Sequence, residues 1–299
     1  MKLAISISSG GALGIGPLHF MRRLEDELGF HLADAGSAFA GTSTGSIVAA
    51  GLCTGMTATQ LYDLYRNNLP SIFTRIRFPR IVSLFSSDFH LYKNSNLKHL
   101  LQQNFAETMD KFKKPIYIPS TFMNGQRVEK VWDRGDNTTD QWFAILSSCS
   151  APTYFDPISR DKDGVTETYC DGGLWANDPI MVLESGLKTI PEFNGDYKIL
   201  SFNTGMRHPN EGFEHNSIVG WGKYIINEWV ARTGSAGLYE AQANLGLENV
   251  QRLAPMIEKP FAMDDLSILD EVCDIWDKYY ESDSIGEKTC EFIKTTINA

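Results

Sequence analysis

The chain has 299 residues, 42% of them hydrophobic and 21% charged, and a formal net charge of −10. That length suits one large globular domain with a sizeable core, and the negative charge argues against a general polyanion binder, so no nucleic-acid partner is expected. Cys53, Cys149, Cys170, Cys273 and Cys290 are odd in number and form no C-x-x-C pair, which argues against a disulfide framework or a zinc site and for reduced thiols in an intracellular protein.

Residues 2–7 read as a short buried strand, too short for the apolar region of a signal peptide. No apolar run approaches the length of a membrane span. A glycine loop follows at 8–16. Pro17 then opens a helix whose Leu18, Met21, Leu24 and Leu28 recur at helical spacing, and Gly29 ends it. A small-residue strand at 36–40 leads through a turn into a helix carrying Ile47, Val48 and Leu52. Strand, loop, helix, strand, turn and helix in this order begin a parallel, doubly wound sheet.

Residues 57–69 and 95–106 are expected to be helical, the second with Leu97, Leu100, Leu101 and Phe105 on one face and Ser95 as N-cap. A loop with Pro70, Pro79 and aromatic residues separates them. Strands are expected at 115–122, 127–132, 165–170 and 199–202. From about 217 the tail is expected to be mostly helical. There Leu266, Leu269, Val272, Cys273 and Trp276 form one apolar stripe, started by Asp264 or Asp265. The reading is a single α/β domain over 1–299, with a helical, lid-like insertion at about 57–112 and a helical C-terminal cap at about 215–299.

Three motifs carry chemistry. Gly41-Thr42-Ser43-Thr44-Gly45 is a G-x-S-x-G match between a strand and a helix. A serine in such a sharp turn presents its hydroxyl above the sheet, and the following helix aims its N-terminus at developing negative charge. Ser8-Ser9-Gly10-Gly11-Ala12-Leu13-Gly14-Ile15-Gly16 has few side chains, so its backbone N–H groups can converge on an oxyanion. A dinucleotide loop fits worse, because the glycine spacing is reversed and a ribose-binding acid is missing. Cys170-Asp171-Gly172-Gly173 puts an aspartate at a strand end, where it can reach a cleft as a general base or simply cap its own turn. A histidine triad would need His208 or His215, both in a polar loop with Pro209 and Asn210, where a solvated role fits better.

Together these residues resemble the patatin-like phospholipase family over nearly the whole chain. The resemblance rests on five blocks in order: the glycine loop, AGTSTGSIVAAGL, SCSAPTYFDPI at 148–158, YCDGGLWANDP at 169–179 and ILSFNTG at 199–205. It implies a three-layer α/β/α fold around a mostly parallel sheet and a serine–aspartate dyad without histidine. By it, Ser43 is the nucleophile and Asp171 the base, the backbone of Gly10, Gly11 and Ala12 forms the oxyanion hole, and Gly14, Gly41, Gly45, Gly172 and Gly173 are motif glycines. No metal or organic cofactor is implied. The chain departs from the pattern at Ser9, in a glycine position, and at Leu13, where the family has a basic residue.

Residues 71–85, SIFTRIRFPRIVSLF, interleave Arg75, Arg77 and Arg80 with apolar residues such as Phe78 and contain no acid. They are read as an interfacial lid whose arginines meet lipid phosphates, with a packed loop as the alternative. Residues 218–231 form a second candidate wall or a cap helix. The expected activity is phospholipase A-type hydrolysis of membrane lipids by a cytoplasmic protein acting at membrane surfaces. An activating small molecule, a partner or self-association is expected to control it. A soluble esterase, thioesterase or acyltransferase, and a scaffold binding lipid or a partner, remain the alternatives.

Overall fold

The computed structural model describes residues 1–74, 91–207, 234–259 and 261–299. β1 (Lys2–Ile7) leads through the glycine loop and a 3₁₀ turn (Gly11–Gly14) into α1 (Ile15–Leu28). α2 (Leu32–Ala35) precedes β2 (Gly36–Gly41), from which α3 (Thr44–Thr54) departs. α4 (Ala58–Ile72) and α5 (Ser95–Asn104) make up the described part of the region read as an insertion. Next come β3 (Ile116–Phe122), β4 (Glu129–Trp132), α6 (Gln141–Cys149), β5 (Ile158–Lys162), β6 (Val165–Asp171) and α7 (Gly173–Ala176). α8 (Ile180–Leu187), β7 (Tyr197–Phe202) and β8 (Met206–Arg207) follow, and then α9 (Gly234–Leu245), β9 (Val250–Leu253), β10 (Met256–Ile257), α10 (Leu269–Glu281) and α11 (Ile285–Asn298).

Among the described residues, eight strands form the central sheet in the order β5-β6-β3-β2-β1-β7-β9, with β4 added to β3. The run from β9 to β3 is parallel, and β4, β5 and β6 pair antiparallel. Alternation along β1 explains the layers. Leu3, Ile5 and Ile7 enter a large core with α1, α3 and α10, while Ala4 enters a smaller one with α8 and α9. Both faces of the parallel run are therefore covered, as such a sheet requires.

Local chemistry fixes the element starts. The buried Glu25 carboxylate accepts hydrogen bonds from Leu32 N–H at 2.9 Å and Ala58 N–H at 3.0 Å, near the starts of α2 and α4. Thr57 and Gln60 form a reciprocal capping box on α4. The expected apolar stripe of α10 is present, with Val272 and Trp276 fully buried.

The structure differs from the sequence reading at several elements: it adds α2, α6, β5 and α8, and α1 starts at Ile15, two residues before Pro17. α4 continues through Pro70 to Ile72, because the stripe of Leu61, Tyr65, Leu69 and Ile72 keeps packing on the core past the proline. Asn94, not Ser95, occupies the N-cap of α5. The C-terminal region is helical as expected but also supplies β9, which extends the sheet next to β7. Val250-Gln251-Arg252-Leu253 is too short and polar to stand out as a strand; Arg252 is tolerated there by pairing with the buried Asp178.

Candidate active site

Ser43 sits between β2 and α3 with φ 53° and ψ −125°. A non-glycine residue at positive φ is strained, and such strain gathers where a side chain must be aimed. Its surroundings enforce the turn. Its N–H donates to Ser148 Oγ at 2.9 Å, and its carbonyl accepts from Ser46 N–H at 2.8 Å and from Ser46 Oγ at 2.6 Å. The flanking glycines are sterically required: a Cβ on Gly41 would lie 2.0 Å from the Gly45 carbonyl oxygen, and one on Gly45 2.2 Å from that of Ile7.

Asp171 ends β6, where it pairs with Ser120 of β3. Its N–H donates to the Ser150 carbonyl at 3.0 Å, and Gly173 N–H donates to its Oδ1 at 2.6 Å. Gly172 lies where a Cβ would stand 2.3 Å from the Pro119 carbonyl oxygen, which keeps this turn against β3. Ser43 and Asp171 line one cavity. Burial pushes the Asp171 carboxyl up to about 6, and the Ser43 hydroxyl and Gly173 N–H act against the rise. A buried carboxylate held this way is a stronger base than an exposed one and is still mostly ionised at pH 7. The 148–158 block thus serves both halves of the pair, Ser148 on the Ser43 side and Ser150 on the Asp171 side.

The glycine loop lies beside this pair. Among the described residues, the N–H groups of Gly10 and Gly11 have no acceptor. Ala12 is different: its N–H donates to the Met263 carbonyl at 2.7 Å, so in this arrangement it is not free for an oxyanion. That corrects the three-donor expectation to two. Leu13 is 1% exposed and belongs to the apolar core, so its position holds the loop by packing rather than by charge. The loop is otherwise held from outside. Thr204 Oγ1 donates to the Ser9 carbonyl at 2.9 Å, Thr44 Oγ1 to the Gly11 carbonyl at 3.2 Å, and Tyr65 Oη to that same carbonyl. Gly14 faces the Thr44 methyl, where a Cβ would have 2.5 Å of separation.

Ser43, Asp171 and Gly11 open into a cavity of about 90 Å³. The rest of its lining is mostly apolar, including Leu69, Ile72, Phe73 and Phe155. A polar pair within a hydrocarbon lining suits an ester on a long apolar chain. No histidine among the described residues lines it. His19 contacts Asp277 at 3.0 Å, His31 contacts Glu25 at 3.1 Å, and His99 contacts Gln103 at 3.1 Å. His208 and His215, the lid candidates Arg75, Arg77, Phe78 and Arg80, and the 218–231 wall lie outside the described residues. Among the described residues, no cluster of three or more His, Cys, Asp or Glu is placed to hold a metal, and no helix is long and apolar enough to cross a membrane. All five cysteines are buried and unbridged.

Sequence reasoning missed Tyr65, Ser148, Thr204 and Met263. Ser148 lay in a block already singled out. Tyr65 and Met263 carry no local signal, because their partners on the loop are more than 50 and 250 residues away in the chain.

Comparison with known proteins gives a match of residues 5–184 to the family model described as Patatin-like phospholipase. A "cGAMP-activated phospholipase" of Vibrio cholerae is 28% identical over 202 residues, covering 60% of this chain and 55% of that protein. "Patatin-like protein 2" of Arabidopsis thaliana is 25% identical over 281 residues, covering 79% of this chain and 67% of that protein. Among solved structures, VipD from Legionella pneumophila aligns at 13% identity with a TM-score of 0.41, covering 93% of this chain and 67% of that one. The chain thus spans little more than half the length of the Vibrio relative.

Proposed function

This chain belongs to the patatin-like phospholipase family, and we propose on that premise that it is a lipid acyl hydrolase working through Ser43 and Asp171. The observation that supports this reading best is the strained Ser43 and the buried Asp171 carboxylate sharing one largely apolar cavity. Ser43 Oγ attacks the fatty-acyl ester carbonyl carbon as its proton passes to Asp171. The oxyanion is received by the N–H groups of Gly10 and Gly11, helped by the N-terminus of α3. The carbon–oxygen bond to the leaving alcohol breaks, and Asp171 returns the proton to that oxygen. Water then attacks the acyl-Ser43 carbonyl with Asp171 again as base. Collapse frees the fatty acid, and the proton held by Asp171 goes back to Ser43 Oγ.

The substrate class is membrane phospholipid, met at a bilayer surface from the cytoplasm. The cavity takes the acyl chain. Control by a small-molecule activator is part of the proposal; the name of the Vibrio relative carries such control by cGAMP.

The test is product analysis by mass spectrometry on mixed phospholipid vesicles, with and without added cyclic dinucleotide. Ser43→Ala and Asp171→Asn should each lower fatty-acid release by about 10⁴-fold with the fold intact. Full activity in Asp171→Asn, with loss in His208→Ala or His215→Ala, would replace the dyad by a triad. Turnover of short soluble esters with no gain on vesicles would point to a soluble esterase. The carboxyl must be ionised to act, so kcat/KM should fall as pH drops through about 6. The same elevation makes the ionised form costly in the fold. Asp171→Asn should therefore gain stability above pH 6, on the order of 2–3 kcal/mol, and lose that gain below pH 4, where the acid is protonated in both folded and unfolded chains.

A further inference from the structure

The Gly11–Ala12 peptide is gripped at both of its polar ends. Its carbonyl accepts from Tyr65 Oη and from Thr44 Oγ1 at 3.2 Å, and its N–H donates to the Met263 carbonyl at 2.7 Å. A peptide unit is planar, so fixing both ends fixes its plane. The Gly11 N–H, which has no acceptor among the described residues, lies one Cα away, across a φ of +55°. Glycine rotates cheaply about that bond, so the chain itself does little to hold the direction of this N–H. The hold has to come from outside the loop. Position 13 supplies no cation for it, because Leu13 is in the core.

We propose that Tyr65 is a positioning residue of the oxyanion loop: its hydroxyl, with Thr44 and Met263, locks the Gly11–Ala12 peptide and thereby aims the Gly11 N–H at the oxyanion formed on the ester attacked by Ser43. The inference rests on the dyad reading. Tyr65 is buried on α4, its ring lines the cavity beside Ser43, and a Cβ on Gly14 would stand 3.1 Å from its hydroxyl. Burial pushes its phenol up, so it stays a proton donor across the working range of pH. The next two turns of α4 carry Leu69 and Ile72, and Phe73 follows at its C-cap; all three line the cavity. One helix therefore touches both the acyl chain's site and the loop that stabilises its reacting carbonyl.

The test compares Tyr65→Phe with Tyr62→Phe on the full chain. Tyr62 lies one turn earlier on α4, and its hydroxyl meets Arg66 at 3.2 Å and Cys273 Sγ at 3.7 Å, outside the cavity. Tyr65→Phe should lower kcat by about tenfold or more with KM little changed, the scale expected when a reacting geometry loosens. The rate of Ser43 labelling by a fluorophosphonate should fall in parallel, since its phosphoryl oxygen occupies the same donors. The thermal midpoint should fall only by the small cost of one lost hydrogen bond, and the acid limb near pH 6 should stay put, because Asp171 is not altered. Tyr62→Phe should leave kcat and labelling unchanged. A Tyr65→Phe protein with wild-type kcat overturns the proposal while Ser43-dependent hydrolysis leaves the dyad standing. A loss of kcat that follows a lower thermal midpoint and is shared by Tyr62→Phe overturns it as well. Hydrolysis and labelling that persist in Ser43→Ala overturn the dyad and this inference together.

Discussion

The two glycine-rich turns beside Ser43 are built in opposite ways. The elbow over Gly41–Gly45 is locked by backbone against backbone, with the Gly45 and Ile7 carbonyls standing where side chains would begin. The loop over Ser8–Gly14 is held by Tyr65, Thr204 and Met263, which come from other parts of the fold. A steric lock allows one geometry or none. A hydrogen-bonded clamp can be loosened one bond at a time. The elbow should therefore fail abruptly under substitution and the loop should fail by degrees.

Gly45→Ala attacks the elbow directly. Its new methyl must displace the Ile7 and Ser8 carbonyl oxygens, now 2.2 and 2.8 Å from the Cβ position. The expected loss is about 4 kcal/mol or more, read as a collapse of the urea midpoint. A well-folded Gly45→Ala protein would show that the elbow is no lock.

Leu13→Arg tests the loop from beneath by restoring the basic residue of the family pattern. A cation at a position 1% exposed lands among apolar neighbours. A loss of about 3 kcal/mol is expected, from burying an unpaired charge. An unchanged thermal midpoint with faster turnover would mean that the loop wants a charge after all.

The mildest probe is Thr204→Val. It keeps the shape against Gly10 and removes only the bond to the Ser9 carbonyl. The cost should be about 1 kcal/mol, visible in chemical denaturation. An elbow-sized loss here would erase the contrast between the turns.

Much of the site was legible because its signals are local. A serine between two glycines, flanked by a strand and a helix, specifies the elbow, and Asp171 before two glycines marks a strand end. α1, α3, α4 and α5 were legible from apolar spacing, and the end of α1 from Gly29. Less legible were features decided by distant partners. Pro70 reads as a helix stop, yet packing of Leu69 and Ile72 carries α4 past it. β9 reads as part of a helical tail, yet it pairs with β7 because that sheet edge was open to it. Ala12 reads as an oxyanion donor, yet a carbonyl 251 positions later in the chain takes its N–H.

The sequence by itself determined the strand–turn–helix units, the serine turn and the aspartate turn, because short-range sterics and hydrophobic period act within a few residues. The tertiary structure alone decided that Ser43 and Asp171 meet, that burial lifts the carboxyl to about 6, and that Tyr65 and Met263 grip the glycine loop. The physical reason is that desolvation and hydrogen-bond direction depend on which surfaces exclude water together. The packing of β2, β6, α4 and the segment before α10 around one cavity sets that.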